Sequence, residues 1–307
     1  MRVHANGTNL YFDVEGPGLV PDGSRMCARP TIVALHGGPG FDHSYFKPVL
    51  GALSEVAQVV YLDQRGHGRS DRGTPDQWTI ETWADDVRAF CDAIDIERPI
   101  VLGNSFGSLV ALAYAVRHPD HPAALILDSG APILDEEHIV EAFRRRGGSA
   151  AADAAREFLE SPTPEGLQQA LPRLLPFYNV RPMGPEMAEV VSRTIPSPLV
   201  QVHFWANIRP VFDLRDALDQ IVCPTLILAG ALDPVCPVED QRLMAERIPG
   251  AQLEVFEQAG HSLIREQPEK TLTRIRSFLA GVIGRATERQ PAVVVGVRSG
   301  VPDLGAQ

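Results

Sequence analysis

Gly103-Asn104-Ser105-Phe106-Gly107 decides how this chain folds. The pentapeptide reads G-x-S-x-G. It follows a short apolar run, Pro99-Ile100-Val101-Leu102, and opens a helical pattern, Leu109-Val110-Ala111-Leu112-Ala113-Tyr114-Ala115. A serine on a sharp strand-to-helix turn is pushed out of the sheet with its hydroxyl exposed. A side chain two positions either side of it would clash, which is the use of the two glycines. The competing reading is a plain Gly-rich loop, and the strand before and the helix after weigh against that.

Outward from this turn the same rhythm repeats. Thr31-Ile32-Val33-Ala34-Leu35, Gln58-Val59-Val60-Tyr61-Leu62, Ala124-Leu125-Ile126-Leu127, Thr225-Leu226-Ile227-Leu228-Ala229 and Leu253-Glu254-Val255-Phe256 read as strands. Thr79 to Ile94 reads as a helix. Continuous apolar strands alternating with helices predict an α/β fold with a parallel sheet buried on both faces. Val3 to Glu15 alternates around Asn6-Gly7 and predicts an opening hairpin. Gly16 to Pro30 reads as a loop, and Leu263 to Leu279 as the last helix. Ile133 to Leu218 carries no strand signal and is cut by prolines from Pro162 to Pro198. It reads as a helical insertion over the C-terminal edge of the sheet, where open α/β sheets bind ligands. The expected division is therefore a core of residues 1–132 and 219–283, a helical cap of 133–218, and an extension of 284–307. The β-prone run Ala292 to Val297 in that extension reads equally as an edge strand, a partner contact or a tail.

The chain has 307 residues, 44% of them apolar, and a formal charge of −11. Dispersed acidity predicts a soluble protein without a nucleic-acid partner. No run of about 18 apolar residues predicts a membrane span. The first residues lack the apolar core of a signal peptide, which predicts a cytoplasmic protein. Cys27, Cys91, Cys223 and Cys236 lack metal-ligand spacing and read as reduced and structural.

A serine hydroxyl needs a base within hydrogen-bond reach. His261 follows a strand and a short loop, Gln258-Ala259-Gly260, and precedes a helix, so it falls on the same sheet edge as Ser105. The base needs an acid to fix its tautomer. Asp233 follows the strand ending at Ala229, with Asp128 the runner-up and Asp63 a third option. Acyl transfer also needs donors for the developing oxyanion. The backbone N–H of Phe106 is one expected donor. Gly38 supplies the other, with Gly37 as its alternative, from the loop His36-Gly37-Gly38-Pro39-Gly40. Asp63-Gln64-Arg65-Gly66-His67-Gly68-Arg69-Ser70 reads as a tight, internally bonded turn. Phe177, Tyr178, Phe204 and Trp205 are candidate contacts to an apolar part of the substrate.

The order Ser105…Asp233…His261, with His36-Gly37-Gly38-Pro39-Gly40 and Asp63-Gln64-Arg65-Gly66-His67-Gly68-Arg69-Ser70, resembles the proline iminopeptidase-like branch of the α/β-hydrolase superfamily. The resemblance covers about 31–130 and 223–279. It implies a mostly parallel eight-stranded sheet with a helical cap, a Ser105–His261–Asp233 triad, and no cofactor or metal. Two departures matter. Prolyl aminopeptidases usually carry G-G-S-W-G-S at the serine, where this chain has Gly103-Asn104-Ser105-Phe106-Gly107-Ser108. Their cap tryptophan has acidic neighbours for the substrate ammonium, whereas His203-Phe204-Trp205-Ala206-Asn207-Ile208-Arg209 has none. Glu186, Glu189 or Asp213 would have to substitute. The serine motif also resembles carbon–carbon bond hydrolases of ring-cleavage products. Those usually place an aromatic residue after the base histidine, and here Ser262 stands there. The expectation is a serine hydrolase acting on a small ester, lactone, amide or short peptide. A prolyl aminopeptidase, a carbon–carbon bond hydrolase and a non-catalytic binder of the same fold are the alternatives.

Overall fold

The computed structural model describes residues 1–181 and 184–289, without the side chains of residues 186 and 285–289. Its strands are β1 (Arg2–Ala5), β2 (Thr8–Glu15), β3 (Leu19–Asp22), β4 (Arg25–Ala28), β5 (Thr31–Leu35), β6 (Gln58–Asp63), β7 (Ile100–Asn104), β8 (Ala124–Asp128), β9 (Thr225–Gly230) and β10 (Gln252–Phe256). Eight of them form one sheet in the order β1-β2-β6-β5-β7-β8-β9-β10. The two joints made by β2, to β1 and to β6, are antiparallel, and the rest are parallel.

Helices α1 (Ile80–Ala93) and α2 (Phe106–Arg117) lie among the core strands. Between β8 and β9 run α3 (Glu136–Glu160), α4 (Pro164–Tyr178), α5 (Pro185–Arg193) and α6 (Pro198–His203). Then come α7 (Val238–Arg247), α8 (Leu263–Glu266) and α9 (Pro268–Arg289). None of the described helices is long and apolar enough to cross a membrane.

The continuous apolar strands are explained by burial on both faces. Val33 and Leu35 pack into one core cluster while Ile32 and Ala34 pack into the other. Val101 separates in the same way from Ile100 and Leu102, and Ile227 from Leu226 and Leu228. Alternate residues leave a pleated strand on opposite sides, so a strand covered twice has no polar face to show.

Three local readings need correction. Gly16 to Pro30 is not all loop, because β3 and β4 pair as a hairpin turning at Gly23, φ +58°. Its residues are exposed or half-buried, so the alternation that marks a core strand is missing. The last helix does not run unbroken from Leu263 to Leu279. It breaks at Gln267 before Pro268, where proline restricts the preceding residue, and then continues to Arg289. Thr79 is the N-cap of α1 rather than its first residue, accepting from the Thr82 N–H at 3.1 Å. The β-prone run 292–297 lies outside the described residues.

Strand order reverses at β5, which has β6 on one side and β7 on the other. A sheet with such a switch point leaves a crevice beyond the carboxyl ends of the strands. The chain places the His36–Gly40 loop after β5 and Ser105 after β7, one on each flank of that crevice. The Asp63–Ser70 turn closes the side beyond β6. There Arg65 makes a buried bidentate pair with Asp86 of α1, at 2.7 and 2.8 Å, and also donates to the Asn6 carbonyl at 2.7 Å. The opening hairpin, this turn and α1 are thereby tied together.

Candidate active site

Ser105 sits at φ 51°, ψ −118°, between β7 and α2. Positive φ is costly for a non-glycine residue, so the neighbours must hold it there. The Ser105 N–H donates to the Asp128 carbonyl at 2.8 Å, and its own carbonyl accepts from the Ser108 N–H at 2.8 Å. Both motif glycines are required by contact. A Cβ on Gly103 would lie 2.3 Å from the Gly107 carbonyl oxygen, and one on Gly107 would lie 2.0 Å from that of Leu35.

Asp233 and His261 follow β9 and β10 and are brought to Ser105 by a close crossing. A Cβ on Gly230 would lie 2.2 Å from the Gly260 carbonyl oxygen. Nδ1 of His261 stands 3.0 and 2.9 Å from the two Asp233 carboxylate oxygens. A carboxylate only accepts, so Nδ1 carries the proton. Nε2 is then free to accept from the Ser105 hydroxyl at 2.8 Å. Asp233 is itself fixed, accepting from the Val235 and Cys236 N–H groups at 2.8 and 2.9 Å. Burial disfavours the His261 imidazolium, but Asp233, with Asp128 and Glu266 behind it, outweighs burial and raises its pKa.

Asp128, the other candidate acid, does not face the ring in this way. Its carboxylate accepts from Asn104 Nδ2 at 2.9 Å and from the Ser129 hydroxyl at 3.2 Å. Burial pushes its pKa up to about 7. Asp63 ends β6, accepting from His43 Nδ1 at 2.6 Å and from the Arg69 N–H at 2.8 Å.

Phe106 is the first residue of α2, and the first N–H groups of a helix have no partner within it. Gly38 has φ +125°. Buried His36 donates from Nδ1 to the Gly37 carbonyl at 2.8 Å and accepts at Nε2 from the Gln64 N–H at 3.2 Å. Burial lowers the His36 pKa, in keeping with a neutral ring. A trans peptide sets C=O and N–H on opposite sides, so holding the Gly37 carbonyl also aims the Gly38 N–H. A Cβ on Gly37, the alternative donor, would meet Ser105 Cβ at 3.2 Å, so this loop passes directly over the serine.

A cavity of about 120 Å³ abuts these residues, with Gly38 and His261 in its wall. Tyr178 and Trp205 line it, together with apolar side chains of α3 and α4. Phe204 instead packs edge-on against Phe106 at 5.3 Å, beneath the site. Phe177 lies over Gly147, where a Cβ would meet its ring at 2.5 Å. Of the acids considered for an ammonium, Glu189 is exposed and Asp213 is paired with Arg215 at 2.6 Å. The Glu186 side chain lies outside the described residues. Asp233, Cys236 and His261 offer one donor atom each within 4.8 Å of one another, a spacing a metal ion could use. The aspartate and histidine donors are already spent on each other, and burial raises the Cys236 thiol pKa well above its usual value.

One set of contacts has no sequence signal. The Tyr178 carbonyl accepts from the His261 N–H at 2.7 Å, and Asn179 Oδ1 from the Ser262 N–H at 3.2 Å. The Glu266 carboxylate accepts from the Gly260 N–H at 2.6 Å and the Val180 N–H at 2.5 Å. A Cβ on Gly260 would lie 2.1 Å from the Tyr178 carbonyl oxygen. The loop that carries His261 is thus held by a segment some 80 residues earlier, and no local pattern encodes such a pairing.

Residues 30–268 match the family described as the alpha/beta hydrolase fold. The chain belongs to that family. A relative from Caulobacter sp. (strain K31), named for carbamate hydrolysis, is 30% identical over 279 residues, 89% of this chain and 96% of its own. A proline iminopeptidase of Pestalotiopsis fici is 27% identical over 90% of this chain and 98% of its own, in line with the proline iminopeptidase-like motifs. The solved structure of a thermophilic esterase from Thermogutta terrifontis superposes with a TM-score of 0.71 at 26% identity. It covers 92% of this chain and 98% of the esterase. This family membership makes the protein a hydrolase.

Proposed function

We propose that this hydrolase is a metal- and cofactor-free serine enzyme that cleaves a small ester, lactone or amide through an acyl-enzyme. The observation that carries the reading is the chain of contacts from Asp233 through His261 to the Ser105 hydroxyl. Ser105 Oγ attacks the substrate carbonyl while His261 Nε2 takes its proton. Charge then collects on the carbonyl oxygen, and the Phe106 and Gly38 N–H groups hold it. Collapse of the tetrahedral adduct expels the leaving group, which His261 protonates. Water then enters, gives a proton to His261 and attacks the acyl carbon; the second adduct collapses as His261 returns that proton to the departing Ser105 Oγ. Asp233 keeps Nδ1 protonated throughout and stabilises the imidazolium that forms in each half-reaction.

In this reading residues 133–218 form a cap over a core of 1–132 and 219–283, and Tyr178 and Trp205 meet the substrate. The enzyme works in the cytoplasm on small molecules. The names of its relatives and neighbours, which refer to carbamate, ester and prolyl substrates, share attack on a carbonyl carbon and support this chemistry. A fluorophosphonate probe should label the wild type and leave Ser105→Ala unlabelled, with p-nitrophenyl butyrate turnover lower by about a thousandfold or more. Labelling that survives in Ser105→Ala would remove Ser105 as the nucleophile.

A further inference from the structure

The cavity beside the triad carries the identity of the substrate further. Phe143 and Phe158 of α3, Leu171 and Leu174 of α4, Trp205 and Val235 give it an apolar wall. Among the described residues lining it there is no carboxylate, lysine or arginine, and the titratable side chains are those of His261 and Tyr178. Burial raises the Tyr178 pKa, so its phenol is neutral across the physiological range. A substrate ammonium seated here would be desolvated without a partner, which is strongly unfavourable. An apolar group gains instead from leaving water.

The volume of about 120 Å³ sets a length. A dry apolar cavity of about 150 Å³ holds a benzene-sized guest, so this one takes roughly four or five carbons. Ala155 and Ala170 are small, buried residues in the same wall, and a longer side chain at either would occupy part of the space.

Resting on the serine-hydrolase reading, we infer that the substrate is uncharged near the scissile carbonyl and carries one apolar group of about four or five carbons that fills this cavity. The group sits on either the acyl side or the leaving-oxygen side, and two ester series tell these apart. p-Nitrophenyl esters vary the acyl chain from acetate to decanoate, and alkyl acetates vary the alcohol.

In the series that matches, kcat/KM should rise about fourfold per added methylene up to four or five carbons and then fall. Ala170→Leu should move the maximum to a shorter chain, and Leu174→Ala to a longer one. Proline p-nitroanilide should be turned over at least tenfold more slowly than the anilide of cyclopentanecarboxylic acid, its uncharged counterpart. It should also protect Ser105 less from fluorophosphonate labelling. Fluorophosphonate labelling of the wild type without any chain-length maximum in either series would overturn the inference and leave the serine reading standing. So would a maximum that neither variant moves while both keep the wild-type melting temperature, or faster turnover of the proline substrate. Absence of labelling in the wild type would remove the serine reading itself.

Discussion

At the scale of single residues, two buried carboxylates stand near one histidine and do different work. Asp233 presents both oxygens to His261 Nδ1, whereas Asp128 spends its oxygens on Asn104 and Ser129. Asp233→Asn should therefore lower kcat by about ten thousandfold, because an amide at that place permits the wrong tautomer. Asp128→Asn keeps an acceptor and should stay within about tenfold of wild type. The reverse order in p-nitrophenyl ester kinetics would make Asp128 the acid. His261 must be neutral to act as base, and its pKa is raised by Asp233 despite burial. Activity should therefore fall on acidification with a midpoint above the 6.5 of an ordinary histidine. A kcat/KM profile between pH 5 and 9 measures that midpoint.

At the scale of elements, the loop that carries His261 depends on a contact that joins it to the segment after α4. Glu266 uses one oxygen for Gly260 and the other for Val180. Glutamine keeps one acceptor and turns an NH₂ toward the other N–H, so Glu266→Gln releases one of the two segments. Hydrogen bonds to a charged group contribute about 1.5–3 kcal/mol. The variant should lose about tenfold in kcat with little change in KM. It should also shift the acid limb to lower pH, because the Glu266 charge helps to raise the His261 pKa. Unchanged kcat and an unchanged acid limb would show that the contact does no positioning. The same scale separates what could be read locally from what could not. The turn around Ser105 and strands β5 to β9 are written as apolar runs and glycines. The β3–β4 hairpin is exposed and unpatterned, so composition hides it.

At the scale of the whole molecule, the buried charges make stability depend on pH. Burial alone would raise the Asp63 pKa, but the hydrogen bonds from His43 and the Arg69 N–H outweigh it and lower it from 3.8 to about 2. A depressed carboxylate stabilises the folded state above its unfolded pKa. That contribution is lost as pH falls from about 4 to about 2, and amounts to about 2 kcal/mol. Asp63→Asn should be less stable than wild type by about this much at pH 7, with the gap closing near pH 2. Urea unfolding at the two pH values measures it, and a gap independent of pH would assign the loss to packing.

The sequence by itself determined the alternation of strands and helices, the sharp turn that carries Ser105, and the later placement of Asp233 and His261 after two further strands. Each of these is fixed within a few residues by burial, by glycine or by the sharpness of a turn. Strand order, the choice between two buried aspartates, the Glu266 contact and the shape of the cavity were decided only by the tertiary structure. They depend on which distant segments meet. Asp128 ends one apolar strand and Asp233 follows another, and only the crossing at Gly230 and Gly260 turns Asp233 toward His261.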